Sequence, residues 1–179
     1  MYLVSIYFDK KTNKKIQHYI NKVAECTGNT FMLDGSVPPH ITISAFEMQN
    51  EKAVIDALER AVARLRQGTL EWASVGQFFP YVIFLIPVLN EYLHEISAIV
   101  NDELSNTNGI KISPYYRPFQ WLPHTTIAKK LTKEQMQTAF EVLQNSFGMF
   151  EGEVVRIGLA KPNPHRDIAT WELKYEQDE

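Results

Sequence analysis

Two short stretches of the sequence carry the residue types that acid–base chemistry needs, and they match each other. The first is Pro39-His40-Ile41-Thr42-Ile43 and the second is Pro123-His124-Thr125-Thr126-Ile127. Side chains two residues apart on a strand point to the same face of the sheet. Each stretch, read as a strand, therefore presents its histidine and the threonine two residues later on one face. Two such strands at one cleft would surround a reacting group with two imidazoles and two hydroxyls.

This set of groups suits the cleavage of a phosphodiester. Histidine titrates near neutral pH, so one neutral imidazole can accept a proton while the other, protonated, donates one. The hydroxyls of Thr42 and Thr126 can donate hydrogen bonds to non-bridging phosphate oxygens, where preorganised donors lower the barrier. We predict His40 and His124 as the catalytic residues, without assigning acid or base to either. The scheme requires no metal and no cofactor.

Metal-dependent and redox chemistry find little support in the sequence. Cys26 is the single cysteine, which excludes an intrachain disulfide and a cysteine-based zinc site. The five histidines do not form a metal-binding pattern such as His-Glu-x-x-His. We therefore predict no metal site.

The elements around the two motifs predict an internal repeat, because the order strand, helix, His-x-Thr strand, helix, strand occurs twice. The motif histidines are 84 residues apart, the helices after them 82 and the strands after those 84. Such matched offsets indicate a duplication. We predict one α+β domain over residues 1–179, with two lobes of roughly 1–80 and 81–179. Antiparallel sheets would face a central cleft, and helices would cover the outside.

Hydrophobic periodicity and capping residues set the predicted element boundaries. Asp9, Asn50 and Thr132 are predicted N-caps, and Gln135 would complete a capping box with Thr132. Gly68 is predicted at a helix C-terminus. The predicted strands are 2–8, 40–46, 69–78, 81–88, 121–129, 153–160 and 168–175, and the predicted helices are 12–26, 50–66, a third from 93 to near 108, and 132–147.

Composition and charge describe a folded, mildly acidic protein. The chain has 179 residues, 45% of them hydrophobic, and a formal net charge of −3. This charge argues against coating long nucleic acids, whereas a small anionic substrate or an RNA end needs only a local basic pocket. The apolar runs are too short for a signal peptide or a membrane span. We expect a cytoplasmic monomer without membrane contact.

The paired motifs, their spacing and the duplicated element order resemble the 2H phosphoesterase superfamily, which includes the 2′-5′ RNA ligase-like proteins, over essentially the whole chain. The resemblance implies a reaction at a ribose 2′,3′-cyclic phosphate or a 2′-5′ linkage of a nucleotide or RNA end. It also implies that His40 and His124 act as acid and base and that Thr42 and Thr126 bind phosphate.

The resemblance further implies a basic residue shortly after the second motif, where Lys129 and Lys130 stand. Simple alternation would place Lys130 on the His124 face, but a bulge near the strand end would place Lys129 there. Both residues are therefore predicted substrate contacts.

Two features depart from the family pattern. After the first motif, the aromatic Phe46 comes one residue late, which leaves its role in stacking on a base open. The loop before the second motif, 115–121, contains Tyr116 and Arg117, which we predict to contact substrate. Phe119 and Trp121 in the same loop are predicted to pack between the lobes.

Three functions fit these observations. The leading hypothesis is hydrolysis of a cyclic phosphate or related phosphodiester. The alternatives are joining of RNA ends through a 2′-5′ bond and a non-catalytic module that binds nucleotides or RNA ends. The acidic net charge favours hydrolysis over joining, because joining requires two bound RNA ends. The paired titratable histidines favour an enzyme over a binding module.

Overall fold

Strands and helices alternate along the chain in the order that the sequence predicts. The computed structural model describes residues 1–35, 37–162 and 164–175. The strands are β1 (Tyr2–Phe8), β2 (His40–Glu47), β3 (Gly68–Phe78), β4 (Val82–Pro87), β5 (Lys111–Ile112), β6 (Thr125–Lys129), β7 (Phe150–Lys161) and β8 (Arg166–Glu172). The helices are α1 (Lys10–Thr27), α2 (Phe31–Asp34), α3 (Glu51–Arg64), α4 (Glu91–Ser105) and α5 (Lys133–Ser146), and a 3₁₀ turn spans Pro114–Tyr116.

The three predicted N-caps are confirmed. The Asp9 and Asn50 side chains accept hydrogen bonds from backbone N–H groups of the first turn of α1 and α3. At α5 the Thr132 hydroxyl accepts from the Gln135 N–H, and the Gln135 side chain accepts from the Thr132 N–H. This reciprocal pair is the predicted capping box.

Several predicted boundaries differ from the structure by two or three residues, and two differ in a way that has a structural reason. Helix α3 ends at Arg64, and Gly68 begins β3 instead of ending the helix. A Cβ atom at Gly68 would overlap the Tyr92 ring, so the glycine serves close packing and not helix termination. Strand β6 begins at Thr125, four residues after the predicted start, and 121–124 lie outside any strand. Sequence patterns also missed the short elements β5 and α2.

The strands form one hydrogen-bonded path in the order β5-β2-β1-β7-β3-β4-β6, with β8 paired to β7. Every pair along this path is antiparallel. Although β2 and β6 lie near opposite ends of the path, their Cα atoms approach within 8 Å. The sheet is therefore strongly curled, and its curl brings the two motif strands together.

The sheet order repeats the sequence duplication as an approximate two-fold. If β1, β2 and β3 correspond to β4, β6 and β7, the core order β2-β1-β7-β3-β4-β6 reads the same from both ends. Each half places its third strand beside the first strand of the other half. The helices follow the same rule, since α1 packs on α5 and β6 while α4 packs on α3 and β2.

The two halves of the sequence are thus interleaved around one hydrophobic core. The antiparallel α+β architecture is confirmed, while a division into two lobes with facing sheets stays a prediction. Within the described residues, no helix combines the length and the apolar character that crossing a membrane requires.

Candidate active site

A β-bulge follows the motif threonine in both β2 and β6. On β2, Thr42 pairs with Ser5 and Ser44 pairs with Val4, so Ile43 has no partner on β1. On β6, Thr126 pairs with Phe84 and Ala128 pairs with Ile83, which leaves Ile127 unpaired. The bulge falls one residue after the threonine in both copies. Because a bulge shifts the alternation of faces, it decides which later residues share the histidine face.

Both histidines make the same hydrogen bond. His40 Nδ1 lies 2.8 Å from the Pro38 carbonyl oxygen, and His124 Nδ1 lies 2.8 Å from the Leu122 carbonyl oxygen. A carbonyl oxygen only accepts, so Nδ1 carries the hydrogen in each ring. The other nitrogen, Nε2, is then free to exchange protons with a substrate. Each ring is oriented by a carbonyl two residues earlier in the chain.

Buried hydrogen bonds link the two motif strands to neighbouring elements. The buried Ser44 hydroxyl donates to Asn101 Oδ1 at 2.8 Å, which ties β2 to α4. Trp72 Nε1 donates to the Thr125 hydroxyl at 3.1 Å, which ties β6 to β3. Ser44 and Thr125 thus point toward the core; Ser44 does so because the bulge at Ile43 shifts the alternation of faces. Thr42, on the histidine face, lies with its hydroxyl 3.3 Å from that of Ser5.

His40 lies in a partly enclosed, positively charged environment. Its ring centroid is 5.9 Å from that of Tyr7, whose other neighbour is the Arg156 guanidinium, 4.9 Å from the ring centroid. Burial lowers the pKa of His40 to about 4, and the nearby charges of Lys129, His165 and His124 act in the same direction. The hydrogen bond to the Pro38 carbonyl opposes this shift. His40 is therefore a neutral imidazole at pH 7, the form that accepts a proton.

His124 lies against an aromatic wall. The rings of Phe78 and Phe84 lie 4.9 Å and 5.1 Å from the His124 ring, and Phe78 meets it edge-on. Burial also lowers the pKa of His124, with Lys129 adding to the effect and the Leu122 carbonyl opposing it. The two histidines thus share a backbone setting but differ in their side-chain neighbours.

The bulge on β6 separates the two candidate lysines. Lys129 pairs with Val82, two residues before Phe84 on β4, which places it on the His124 face. Its charge acts on the pKa of both histidines. Lys130 has a left-handed backbone, with φ of 58°, and its ammonium group lies 4.4 Å from the centre of the Phe31 ring. The geometry thus favours Lys129 over Lys130 as a substrate contact, and both roles stay predictions.

The remaining predicted substrate contacts, Tyr116 and Arg117, lie outside the two motif strands. Tyr116 ends the 3₁₀ turn that packs on β2, and burial raises its pKa. Arg117 borders a groove between α4 and β5 that Ser105 and Ile110 also line. Phe46 is buried in the core and stacks on Tyr2 with a centroid distance of 6.3 Å, so it offers no surface in the cleft.

Sequence reasoning missed several residues near the histidines. The sequence indicates only core packing for Tyr7, and it does not single out Arg156, although this residue is a lone cation in an otherwise apolar stretch of β7. The β3–β4 turn also carries exposed aromatic residues next to Phe78: Phe79 is 80% exposed and Tyr81 is 51% exposed. Such exposed rings are surfaces on which nucleic-acid bases can stack.

Comparisons with known proteins agree with the fold. The structure of E. coli LigT complexed with 3′-AMP matches over 96% of this chain and 97% of that chain, with 15% identity and a TM-score of 0.62. The structure of TT0787 of Thermus thermophilus matches over 98% and 99%, with 13% identity and a TM-score of 0.62. Kluyveromyces marxianus Usb1 matches over 97% of both chains, with 10% identity and a TM-score of 0.53.

At these identities the structural likeness establishes the fold. No curated protein matches the chain at a significant level. The family model described as the 2′-5′ RNA ligase superfamily matches residues 14–166, a stretch that contains both histidine motifs. The chain therefore belongs to the 2′-5′ RNA ligase superfamily of 2H phosphoesterases.

Proposed function

We propose that the protein is a metal-independent phosphodiesterase that acts on a ribose 2′,3′-cyclic phosphate, or a related 2′-5′ phosphodiester, of a nucleotide or RNA end. The observation that carries the proposal is the matched pair His40 and His124. Nδ1 of each ring lies 2.8 Å from a backbone carbonyl, which leaves Nε2 to exchange protons; His40 begins β2, His124 directly precedes β6, and these strands approach within 8 Å. Two-histidine acid–base catalysis requires such a pair on opposite sides of one phosphorus atom.

The proposed reaction is the addition of water to the cyclic phosphate. One neutral imidazole takes a proton through Nε2 from the attacking water, and a new P–O bond forms. The bond from phosphorus to one ribose oxygen breaks, and that oxygen receives a proton from Nε2 of the other, protonated imidazole. The hydroxyls of Thr42 and Thr126 donate to the non-bridging oxygens, and Lys129 balances their charge.

Within this scheme we assign the base to His40 and the acid to His124. His40 lies among like charges that disfavour its protonated form, namely Lys129 and His165. His124 has the aromatic neighbours Phe78 and Phe84 in place of a second cation. The single negative charge of a bound phosphodiester would favour the protonated imidazole of His124.

Two observations support a nucleotide as substrate. The exposed rings of Phe79 and Tyr81 lie at the turn that follows Phe78, beside His124. Aromatic surfaces of this kind bind bases with little sequence preference. The related fold of E. coli LigT has been solved in complex with 3′-AMP, NADP+ and ATP.

The test is an assay of the purified protein in EDTA with nucleoside 2′,3′-cyclic monophosphates, in which the product is identified as the 2′- or 3′-phosphate. The variants are His40→Ala and His124→Ala, and the matched control is His18→Ala, on the exposed face of α1. We expect turnover in EDTA and a loss of roughly a hundredfold or more in both motif variants, the usual contribution of acid–base catalysis. His18→Ala should retain wild-type activity.

The product isomer identifies the ribose oxygen that the acid protonates. Wild-type protein without turnover on cyclic phosphates, 2′-5′ dinucleotides or an ADP-ribose cyclic phosphate would contradict the proposal. So would full activity in either motif variant. Unfolding curves of the variants separate a loss of chemistry from a loss of folded protein.

Joining of RNA ends is the second candidate, because the matching family is described by that reaction and the same site can run in both directions. Joining requires two RNA ends to bind, so its test is an RNA gel shift at low and high salt. Salt-sensitive binding with formation of a 2′-5′ linked product would favour joining. Absence of RNA binding alongside turnover of mononucleotides would leave hydrolysis.

A further inference from the structure

The proposed chemistry leaves unused a cationic side chain beside the first motif histidine. Arg156 and His40 are the cross-strand partners of Tyr7 on its two sides. Directly paired residues of an antiparallel sheet point to the same face. The three side chains thus form a row, with the Tyr7 ring 5.9 Å from the His40 ring centroid and 4.9 Å from the Arg156 guanidinium carbon.

The half-buried guanidinium group of Arg156 has one unsatisfied donor. Its Nε is buried without a hydrogen-bond partner among the described residues. Glu172 faces Arg156 across the β7–β8 pair, yet in the described part of the chain no carboxylate forms an ion pair with Arg156 within 4.0 Å. The other nearby carboxylate, Asp167, is paired with His165 at 3.2 Å. A buried donor without an acceptor costs stability unless a ligand supplies the acceptor.

The internal repeat shows that this cation is a departure from the duplicated pattern. Ser74 pairs with Ile86 as Arg156 pairs with Tyr7, so a serine on β3 and an isoleucine on β4 stand at the equivalent positions on the His124 side. The Tyr7 ring can lie across β7 because residue 158 is glycine, where a Cβ atom would come within 2.9 Å of the ring. The guanidinium group of Arg156 therefore has no counterpart at the equivalent position on the His124 side, where Ser74 stands.

We propose that Arg156 binds a second phosphate group of the substrate, on the His40 side of the phosphate that reacts. This inference rests on the proposed function and narrows its substrate class to a nucleoside 2′,3′-cyclic phosphate with a further phosphate on its 5′ oxygen. That phosphate is either a terminal 5′-phosphate or the linkage to the preceding nucleotide of an RNA. The backbones of His40 and Arg156 are two strands apart, about 10 Å, a distance that one nucleoside spans. The planar guanidinium offers paired donors to phosphate oxygens.

The kinetic test compares three substrates in EDTA: adenosine 2′,3′-cyclic phosphate, the same compound with a 5′-phosphate, and the dinucleotide ApA with a 2′,3′-cyclic end. Its readout is the ratio of kcat/KM for each two-phosphate substrate to that for the one-phosphate substrate. We expect a wild-type ratio of about ten to a hundred, the usual effect of a hydrogen bond to a charged group. Arg156→Gln should bring the ratio close to one, and Arg156→Lys should retain part of it. The control Arg64→Gln, on the exposed outer helix α3, should keep the wild-type ratio.

The two sources of the second phosphate give different results. A preference only for the 5′-phosphorylated mononucleotide identifies a terminal phosphate, and a preference only for the dinucleotide identifies an RNA end. A wild-type ratio near one for both overturns the inference. Arg156→Gln that lowers kcat/KM equally for all three substrates also overturns it, since Arg156 would then act only through Tyr7 and His40.

A binding experiment tests the second-phosphate site independently of turnover. Absence of turnover on every substrate would reject the proposed function but would leave this site to be decided by binding. The probes are adenosine 3′,5′-bisphosphate and adenosine 3′-monophosphate, titrated by calorimetry. We expect the wild type to bind the bisphosphate at least tenfold more tightly, and Arg156→Gln to lose that difference. Equal affinities in the wild type, or an unchanged difference in the variant, would overturn the second-phosphate site.

Discussion

The amide of Asn101 is expected to stabilise the bulge of the first motif strand. Asn101 is buried on α4, and its Nδ2 donates to the carbonyl of Ile43, the bulge residue, at 3.1 Å. The same nitrogen donates to the Ser97 carbonyl at 2.8 Å, and Oδ1 accepts from the Ser44 hydroxyl at 2.8 Å. One side chain thus satisfies the two polar groups that the bulge turns toward the core.

The cost of removing it follows from these contacts. Asn101→Ala leaves the Ser44 hydroxyl and the Ile43 carbonyl buried without that partner, at about 1–3 kcal/mol each, so the free energy of unfolding should fall by about 2–6 kcal/mol. Ser44→Ala alone should cost about 1–3 kcal/mol, because Asn101 Oδ1 loses its donor. In the double variant both the Ser44 hydroxyl and Asn101 Oδ1 are absent, so only the Ile43 carbonyl stays without its partner. The double loss should therefore be smaller than the sum of the single losses by about 2–6 kcal/mol.

The assay is urea unfolding followed by tryptophan fluorescence, for which the buried Trp72 is a core probe. The control pairs Asn101→Ala with Ser146→Ala on α5, whose hydroxyl bonds within its own helix. That pair should be additive within about 0.5 kcal/mol, as distant sites usually are. A coupling below about 0.5 kcal/mol between positions 44 and 101, at unchanged m, would refute the reasoning.

Two further predictions concern the charges around the histidines. With His40 as base, kcat/KM should rise with pH through about 4, the pKa at which His40 loses its proton. With His124 as acid, kcat/KM should fall again as His124 loses its proton, at a pKa below the usual value for histidine. A rate profile of the purified enzyme from pH 3 to 9 checks this, and a maximum above pH 7 would contradict the assignment. Lys129→Met should lower kcat/KM by about tenfold or more, the scale of one charged phosphate contact, and shift the profile to higher pH because a positive charge is removed from both histidines. Lys130→Met, whose ammonium group lies over Phe31, should stay within about twofold of wild type; equal losses in the two variants would reject the distinction.

The sequence predicted the long elements well because their patterns are local. Strand β1 has the predicted bounds, and α5 has its predicted cap and capping box. The repeat offsets predicted equivalent strands, and the sheet order contains them as an approximate two-fold. Local spacing also predicted the arrangement before the bulge: His40 and Thr42 share a face of β2, and His124, just before β6, lies against Phe84, the partner of Thr126.

Features set by pairing between distant strands could not be predicted from one sequence. The bulges at Ile43 and Ile127 are register shifts against β1 and β4, and alternation alone pointed to Lys130 instead of Lys129. Arg156 lies 116 residues after His40 in the chain, and only the β1–β7 register brings it into the same row. The interleaving of the halves is likewise a property of the sheet order and leaves no mark on local hydrophobic periodicity.

The duplication and its departures together account for a directional site. Equivalent positions give both halves a histidine, a threonine and a bulge, which makes the two copies chemically alike. The next positions differ: Ser5 in the first half corresponds by register to Phe84 in the second, and Tyr7 corresponds to Ile86. The His40 side is therefore polar and carries the cation of β7, whereas the His124 side is aromatic. The proposed substrate, a nucleotide, is asymmetric in the same sense, with charge on its phosphates and a flat apolar surface on its base. A duplicated scaffold would need only these few unequal positions to bind it in one orientation.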